Sequence, residues 1–235
     1  MNRRSNYRDD PSEVPLLGGR ITPGVVRAGN TVRRPQGPHS EFVHALLLHL
    51  EGSGFGAVPR FLGIDEDGRE VLSYIAGHVP DELDPRHPDA VLVAAARLLR
   101  RFHDATAGSE LAGSHEVVCH NDISPVNTVF VDGLPRALID FDMAAPGSRI
   151  RDVSYGLFLW LNLGWDGPEP AEQRRRIELW CDTYGLVEGA GLIEEVRDRV
   201  EETVARRRAD GDADAADWWH AQLAWITRNR SEIEP

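Results

Sequence analysis

The chain has 235 residues and is 41% hydrophobic, enough for one sizeable core or one two-lobed unit. All 26 basic residues are arginine, which excludes mechanisms built on a lysine Schiff base or a lysine phosphate clamp. Against 38 acidic residues the net charge is −12, which disfavours a nucleic-acid partner and suits a cationic ligand.

In chain order, residues 1–13 are polar and read as a flexible tail without the apolar core of a signal peptide. Val25-Val26-Arg27 and Thr31-Val32-Arg33 flank Ala28-Gly29-Asn30, the pattern of a hairpin. Residues 41–51 place Phe42, Val43, Leu46, Leu47 and Leu50 at helical spacing. A second hairpin turns at Asp65-Glu66-Asp67-Gly68, between 61–64 and 71–75. Residues 77–88 are rich in Pro, Asp and Gly and read as a connection, followed by an amphipathic helix over 89–106. Val117-Val118-Cys119 and Thr128-Val129-Phe130-Val131 are short strands around a polar loop, and Asp132-Gly133 turns the chain into Ala137-Leu138-Ile139. Beyond Asp152 the periodicity predicts helices over 153–163, 172–184, 192–208 and 214–229. Cys119 and Cys181 have no zinc-site spacing, no apolar run approaches the length of a membrane span, and a reduced cytoplasm is the expected location.

The stretch richest in chemistry is His120-Asn121-Asp122-Ile123-Ser124-Pro125-Val126-Asn127, followed by Ile139-Asp140-Phe141-Asp142. Asp122 and Asn127 sit on a loop between apolar strands, and Asp140 ends a third strand. Oxygen-bearing side chains at strand ends suit Mg²⁺, which completes its shell with water and phosphate oxygens. A further carboxylate there can orient a hydroxyl and accept its proton. H-x-D-x-x-x-x-N followed by I-D-F is the pattern of a kinase catalytic loop, in the expected strand–loop–strand–acid context.

On these residues the chain resembles the aminoglycoside phosphotransferase family, the small-molecule branch of the protein-kinase-like fold. The similarity runs from about Gly18 to Tyr184. The resemblance implies an α+β fold of two lobes: a small β-rich N-lobe over 14–77 and a mostly helical C-lobe over 78–235 holding the catalytic loop and acceptor site. It implies Asp122 as the catalytic group, Asn127 and Asp140 as Mg²⁺ ligands, and ATP or GTP as donor to a hydroxylated small molecule, with no nucleic acid or membrane as partner. His120 and Asp152 are expected to support the loop, although Asp152 could instead cap its helix. Asp142 is either a supporting group or a surface acid, and Ser124 reads as a turn residue.

The resemblance also places a nucleotide-covering hairpin at Gly18-Gly19-Arg20-Ile21-Thr22-Pro23-Gly24, a phosphate-contacting residue at Arg33, and the adenine site at Tyr74 and Ile75. Arg34 is the neighbouring candidate, on the other face of the strand. The next helix should offer a glutamate to that basic residue, and only Glu41 lies near. Trp218, Trp219 and Trp225 fit core packing better than ligand stacking, and acids such as Glu194, Asp198 and Glu201 fit a solvated helix face. The alternative reading is a kinase-fold binding or immunity-type protein with little or no turnover, motivated by the Arg33 region and the missing helix glutamate.

Overall fold

The computed structural model describes residues 13–16, 24–83, 87–186 and 191–235. Five short strands open the chain: β1 (Val14–Pro15), β2 (Val26–Ala28), β3 (Thr31–Arg34), β4 (Phe61–Ile64) and β5 (Glu70–Ser73). They form one antiparallel sheet in the order β1-β2-β3-β5-β4. Each hairpin closes on local chemistry. At the first, Gly29 takes φ +60° and the Thr31 hydroxyl donates to the Ala28 carbonyl at 2.8 Å. At the second, the Asp65 carboxylate accepts from the amides of Asp67 and Arg69 at 3.1 and 2.9 Å, an Asx-type turn.

Helix α1 (Ser40–Gly52) follows β3 and buries Val43, Leu46, Leu47 and Leu50, the stripe anticipated from the i, i+3, i+4, i+7 spacing. That stripe joins the same hydrophobic cluster as Leu92, Leu99 and Phe102 of α2 (Asp89–Thr106). The cluster continues through α3 (Arg149–Leu161), α4 (Pro170–Tyr184), α5 (Leu192–Ala209) and α6 (Ala213–Ile233). Trp160 and Trp180 are fully buried within it, and Trp219 stacks on Phe158 with ring centroids 4.8 Å apart, so these indoles are core. No helix among the described residues is long and apolar enough to cross a membrane.

Two small β-ladders cross the C-terminal part. β6 (Val117–Cys119) pairs with β9 (Ala145–Gly147), and β7 (Thr128–Val131) pairs with β8 (Leu134–Leu138). β1 and β9 are not legible in the sequence: they are two and three residues long, and each carries a proline, a residue that argues against a strand. The helix expected from 153 begins earlier, at Arg149, with Ser148 at its N-cap. Asp152 therefore lies within the first turn and is not the cap.

The connection between the two parts lies close against β7. His78 and Phe130 exchange two backbone hydrogen bonds, at 2.9 and 2.7 Å. A Cβ on Gly77 would stand 2.4 Å from Val129 Cγ1 and 2.6 Å from the Phe130 carbonyl oxygen. Gly77→Ala is expected to destabilise the protein by about 1–3 kcal/mol, the usual cost of overpacking, read as a lowered urea midpoint. An unchanged midpoint would show that this approach is not needed.

Candidate active site

The loop between β6 and the turn Pro125–Asn127 is held from below by one buried carboxylate. Asp152 Oδ2 accepts from the His120 amide at 2.7 Å and from His103 Nε2 at 3.0 Å, and its Oδ1 accepts from the Asn121 amide at 2.8 Å. His103 Nδ1 in turn meets the Tyr184 hydroxyl at 2.6 Å. Burial pushes the Asp152 carboxyl up, but the His103 hydrogen bond and the surrounding donors outweigh it and hold the group below the usual carboxylate range. His120 is itself fully buried, and its Nε2 donates to the Ile139 carbonyl at 3.0 Å, tying the loop to the segment that leads into Asp140. Asn121 and Asp140 both adopt left-handed backbone, at φ +62° and +63°, a region that Asn and Asp tolerate better than other side chains.

Asn127 closes the loop. Its Nδ2 donates to the Asp122 carbonyl at 2.9 Å and to Asp122 Oδ2 at 2.8 Å. The Asp122 carboxylate is thereby oriented from its own loop, and the amide oxygen of Asn127 is left as the atom available to a cation. Asp140 and Asp142, each 41% exposed at the side chain, follow Ile139, whose amide donates to the Asn127 carbonyl at 3.0 Å. The crowded walls around Asp140 and the neighbouring Asp142 carboxylate push its carboxyl up, with Arg34 opposing them. Two carboxylates and one amide oxygen are hard-oxygen donors of the kind that suits Mg²⁺.

Arg34 brings a cation to these two carboxylates. Its guanidinium meets Glu70 and Asp142 in short contacts and Asp140 Oδ1 at 3.3 Å. Arg34 and Glu70 are cross-strand partners on β3 and β5, so they share a face. Glu70 is fully buried, and its second oxygen accepts from His44 Nε2 on α1 at 2.6 Å. The glutamate sought on α1 is therefore supplied by the neighbouring strand, and α1 contributes a histidine to hold it. Glu41 is exposed on the first turn of α1. Burial works against the Glu70 charge, but His44 and Arg34 outweigh it and hold the carboxyl low. Breaking a buried ion pair by deleting one partner costs about 3–5 kcal/mol. Glu70→Ala should lower stability on that scale and Glu70→Gln by less, both read from urea midpoints.

Arg33 lies elsewhere. It is 2% exposed, points to the opposite face of β3, and places Nη1 3.1 Å from Glu13 Oε1. This is a correction to the expected cleft cation: strand alternation gives Arg33 and Arg34 opposite faces, and the face turned toward Asp140 is that of Arg34. The Tyr74 amide donates to the Asn30 carbonyl at 2.8 Å, and its ring lies beneath the Arg27 guanidinium at 3.8 Å. Ile75 follows beyond the last β3–β5 register pair. The expected nucleotide-covering hairpin at 18–24 falls outside the described residues, apart from Gly24.

A five-stranded sheet set over a helical part, with Asp122, Asn127, Asp140 and Arg34 gathered between them, defines a two-lobed kinase-like fold. The model of the phosphotransferase enzyme family, APH, matches residues 31–116 and 107–190. The chain belongs to that family. A trifolitoxin immunity protein of Rhizobium leguminosarum bv. trifolii is 32% identical over 255 residues, covering 93% of this chain and 94% of that protein. Solved structures of similar fold include a thermostable mutant of aminoglycoside phosphotransferase APH(4)-Ia in its apo form (15% identity, TM-score 0.63, 94% of this chain and 95% of that one). Ethanolamine kinase of Plasmodium vivax is another, at 12% identity and TM-score 0.59, covering 89% of this chain and 82% of that one. Choline kinase LicA of Streptococcus pneumoniae matches at 14% identity and TM-score 0.55, covering 85% and 88%.

Proposed function

We propose that the protein transfers the γ-phosphoryl group of ATP or GTP to a hydroxyl of a small molecule. The observation that carries this reading is the pairing of Asp122 with Asn127 at 2.8 Å on a loop that the Ile139 amide ties, at 3.0 Å to the Asn127 carbonyl, to the segment where Asp140 and Asp142 meet Arg34. Phosphoryl transfer asks a protein mainly for positioning and charge neutralisation. Asp122 orients the acceptor hydroxyl and takes its proton. The acceptor oxygen forms a bond to the γ-phosphorus as the bond to the bridging oxygen breaks, and the nucleoside diphosphate leaves. Asn127 and Asp140 would hold Mg²⁺, with Asp142 beside them, and the ion would neutralise charge on the phosphates. Arg34, already in the cleft, is the chain's own cation for the phosphates. The base would sit at the segment of Tyr74 and Ile75, with Ile75 the better placed because the Tyr74 amide already serves Asn30.

A second reading is favoured by the relative named as an immunity protein: the fold could bind a toxic compound without turnover. The two part at the nucleotide. ATP or GTP with Mg²⁺ at about 100 times its Kd should stabilise the folded protein by about 2.7 kcal/mol. A thermal shift with one of them supports the phosphotransferase reading, and no shift with either supports binding without transfer.

A further inference from the structure

Beside the catalytic loop lies a pocket of about 430 Å³ whose lining is basic in a chain of net charge −12. Its walls include Asn121, the residue before Asp122, together with Arg151 of α3 and Arg199, Glu202 and Arg206 of α5. Glu202 pairs with Arg151 and Arg199 at 2.8 and 2.9 Å, and Glu195 stands 3.8 Å from Arg151, so three guanidinium groups face two carboxylates. Arg199 is 12% exposed at the side chain; it donates to the Asn121 carbonyl at 3.3 Å, and its Nε has no hydrogen-bond partner among the described residues. The Arg199 guanidinium also lies 4.8 Å over the Tyr155 ring, which fixes its plane. Burial first, and then the Asp122 charge, push the Tyr155 hydroxyl up to about 12, while Arg206 and Arg199 oppose the rise. Tyr155 thus lies within the field of Asp122 and of the pocket arginines together.

We infer that this pocket is the acceptor site and that it selects a hydroxylated molecule bearing an anionic group, a carboxylate or a phosphate. The anionic end would rest on Arg206 and Arg199, whose forks suit planar or tetrahedral oxyanions, and the hydroxyl end would reach toward Asp122. A polycationic acceptor would meet like charge here. Of the acids on α5, Asp198 and Glu201 are exposed and absent from the pocket wall, and Glu202, which lines it, is already paired with Arg151 and Arg199.

This inference rests on the phosphotransferase reading, and binding separates the two. The full chain is titrated by NMR with glycerate and glycerol phosphate as anionic probes, and with glycerol and ethanolamine as neutral and cationic ones. The anions should bind at least about tenfold more tightly than glycerol or ethanolamine, and Arg206→Ala and Arg199→Gln should each remove about tenfold of that affinity. The stronger of the two anions identifies the carboxylate or the phosphate as the preferred group. Asp122→Asn should lower transfer by a factor of about 10²–10⁴ while the anions still bind in an arginine-dependent way. Ethanolamine binding more tightly than the anions, or anion binding indifferent to both arginine substitutions, overturns the inference. Arginine-dependent anion binding without phosphoryl transfer to any probe supports the pocket and overturns the phosphotransferase reading.

Discussion

Asp122→Asn should lower phosphoryl transfer by a factor of about 10²–10⁴, the usual contribution of a positioned general base. Asparagine keeps the shape and still meets the Asn127 side chain, which stands 2.8 Å from Asp122 Oδ2. What it loses is the capacity to take a proton and the charge that aligns the hydroxyl. The loss should appear in kcat and in kcat/KM alike, because the interaction belongs to the transition state. Nucleotide binding should survive, since Asn127, Asp140 and Arg34 are untouched. A variant that retains full turnover would remove Asp122 from the chemistry.

Asp152→Ala should lower stability by about 3–5 kcal/mol, since it takes the charged partner from buried donors. The amides of His120 and Asn121 and the Nε2 of His103 all converge on this one fully buried carboxylate. Alanine leaves those donors unpartnered, and His103 loses the anchor that faces Tyr184 across its ring. The pH dependence has a definite sign. The carboxyl is held below its ordinary range in the folded state, so its stabilisation is present above the unfolded pKa of about 4 and fades as pH falls through the folded value. The gap between wild type and Asp152→Ala should therefore be widest near neutrality and narrow in acid, as read from urea midpoints between pH 7 and pH 3. A gap that stays constant over that range would show that the Asp152 charge contributes nothing.

The helices and most strands are legible because their apolar spacing is local: Val43, Leu46, Leu47 and Leu50 declare the buried face of α1 without help from the rest of the chain. The H-x-D-x-x-x-x-N loop is legible for the same reason, since Asp122 and Asn127 are five residues apart and meet within one turn. The cleft cation is different. Alternation shows that Arg33 and Arg34 face opposite ways, but which face meets Asp140 depends on how the sheet sits on the helical part, with Arg34 and Asp140 106 positions apart in the sequence. Glu70 hides for a similar reason. The sequence points to an acid on α1, whereas the cross-strand register with β5 supplies it and α1 provides His44 instead. The pair Arg34↔Glu70 carried a signal, opposite charges at matching positions of adjacent strands, visible only once the register is known. The pocket shows the limit of composition: a net charge of −12 says nothing about three arginines on α3 and α5 that converge beside Asn121.

The most direct measurement is ³¹P NMR of the full-length protein with ATP, Mg²⁺ and a mixture of hydroxylated acceptors, with GTP as a parallel sample. If Asp122, Asn127, Asp140 and Arg34 form a working transfer site, a phosphate-monoester resonance should grow in step with the loss of the γ-phosphate signal and the gain of nucleoside diphosphate. Nucleotide that binds and stays intact, or that yields only inorganic phosphate, would contradict it.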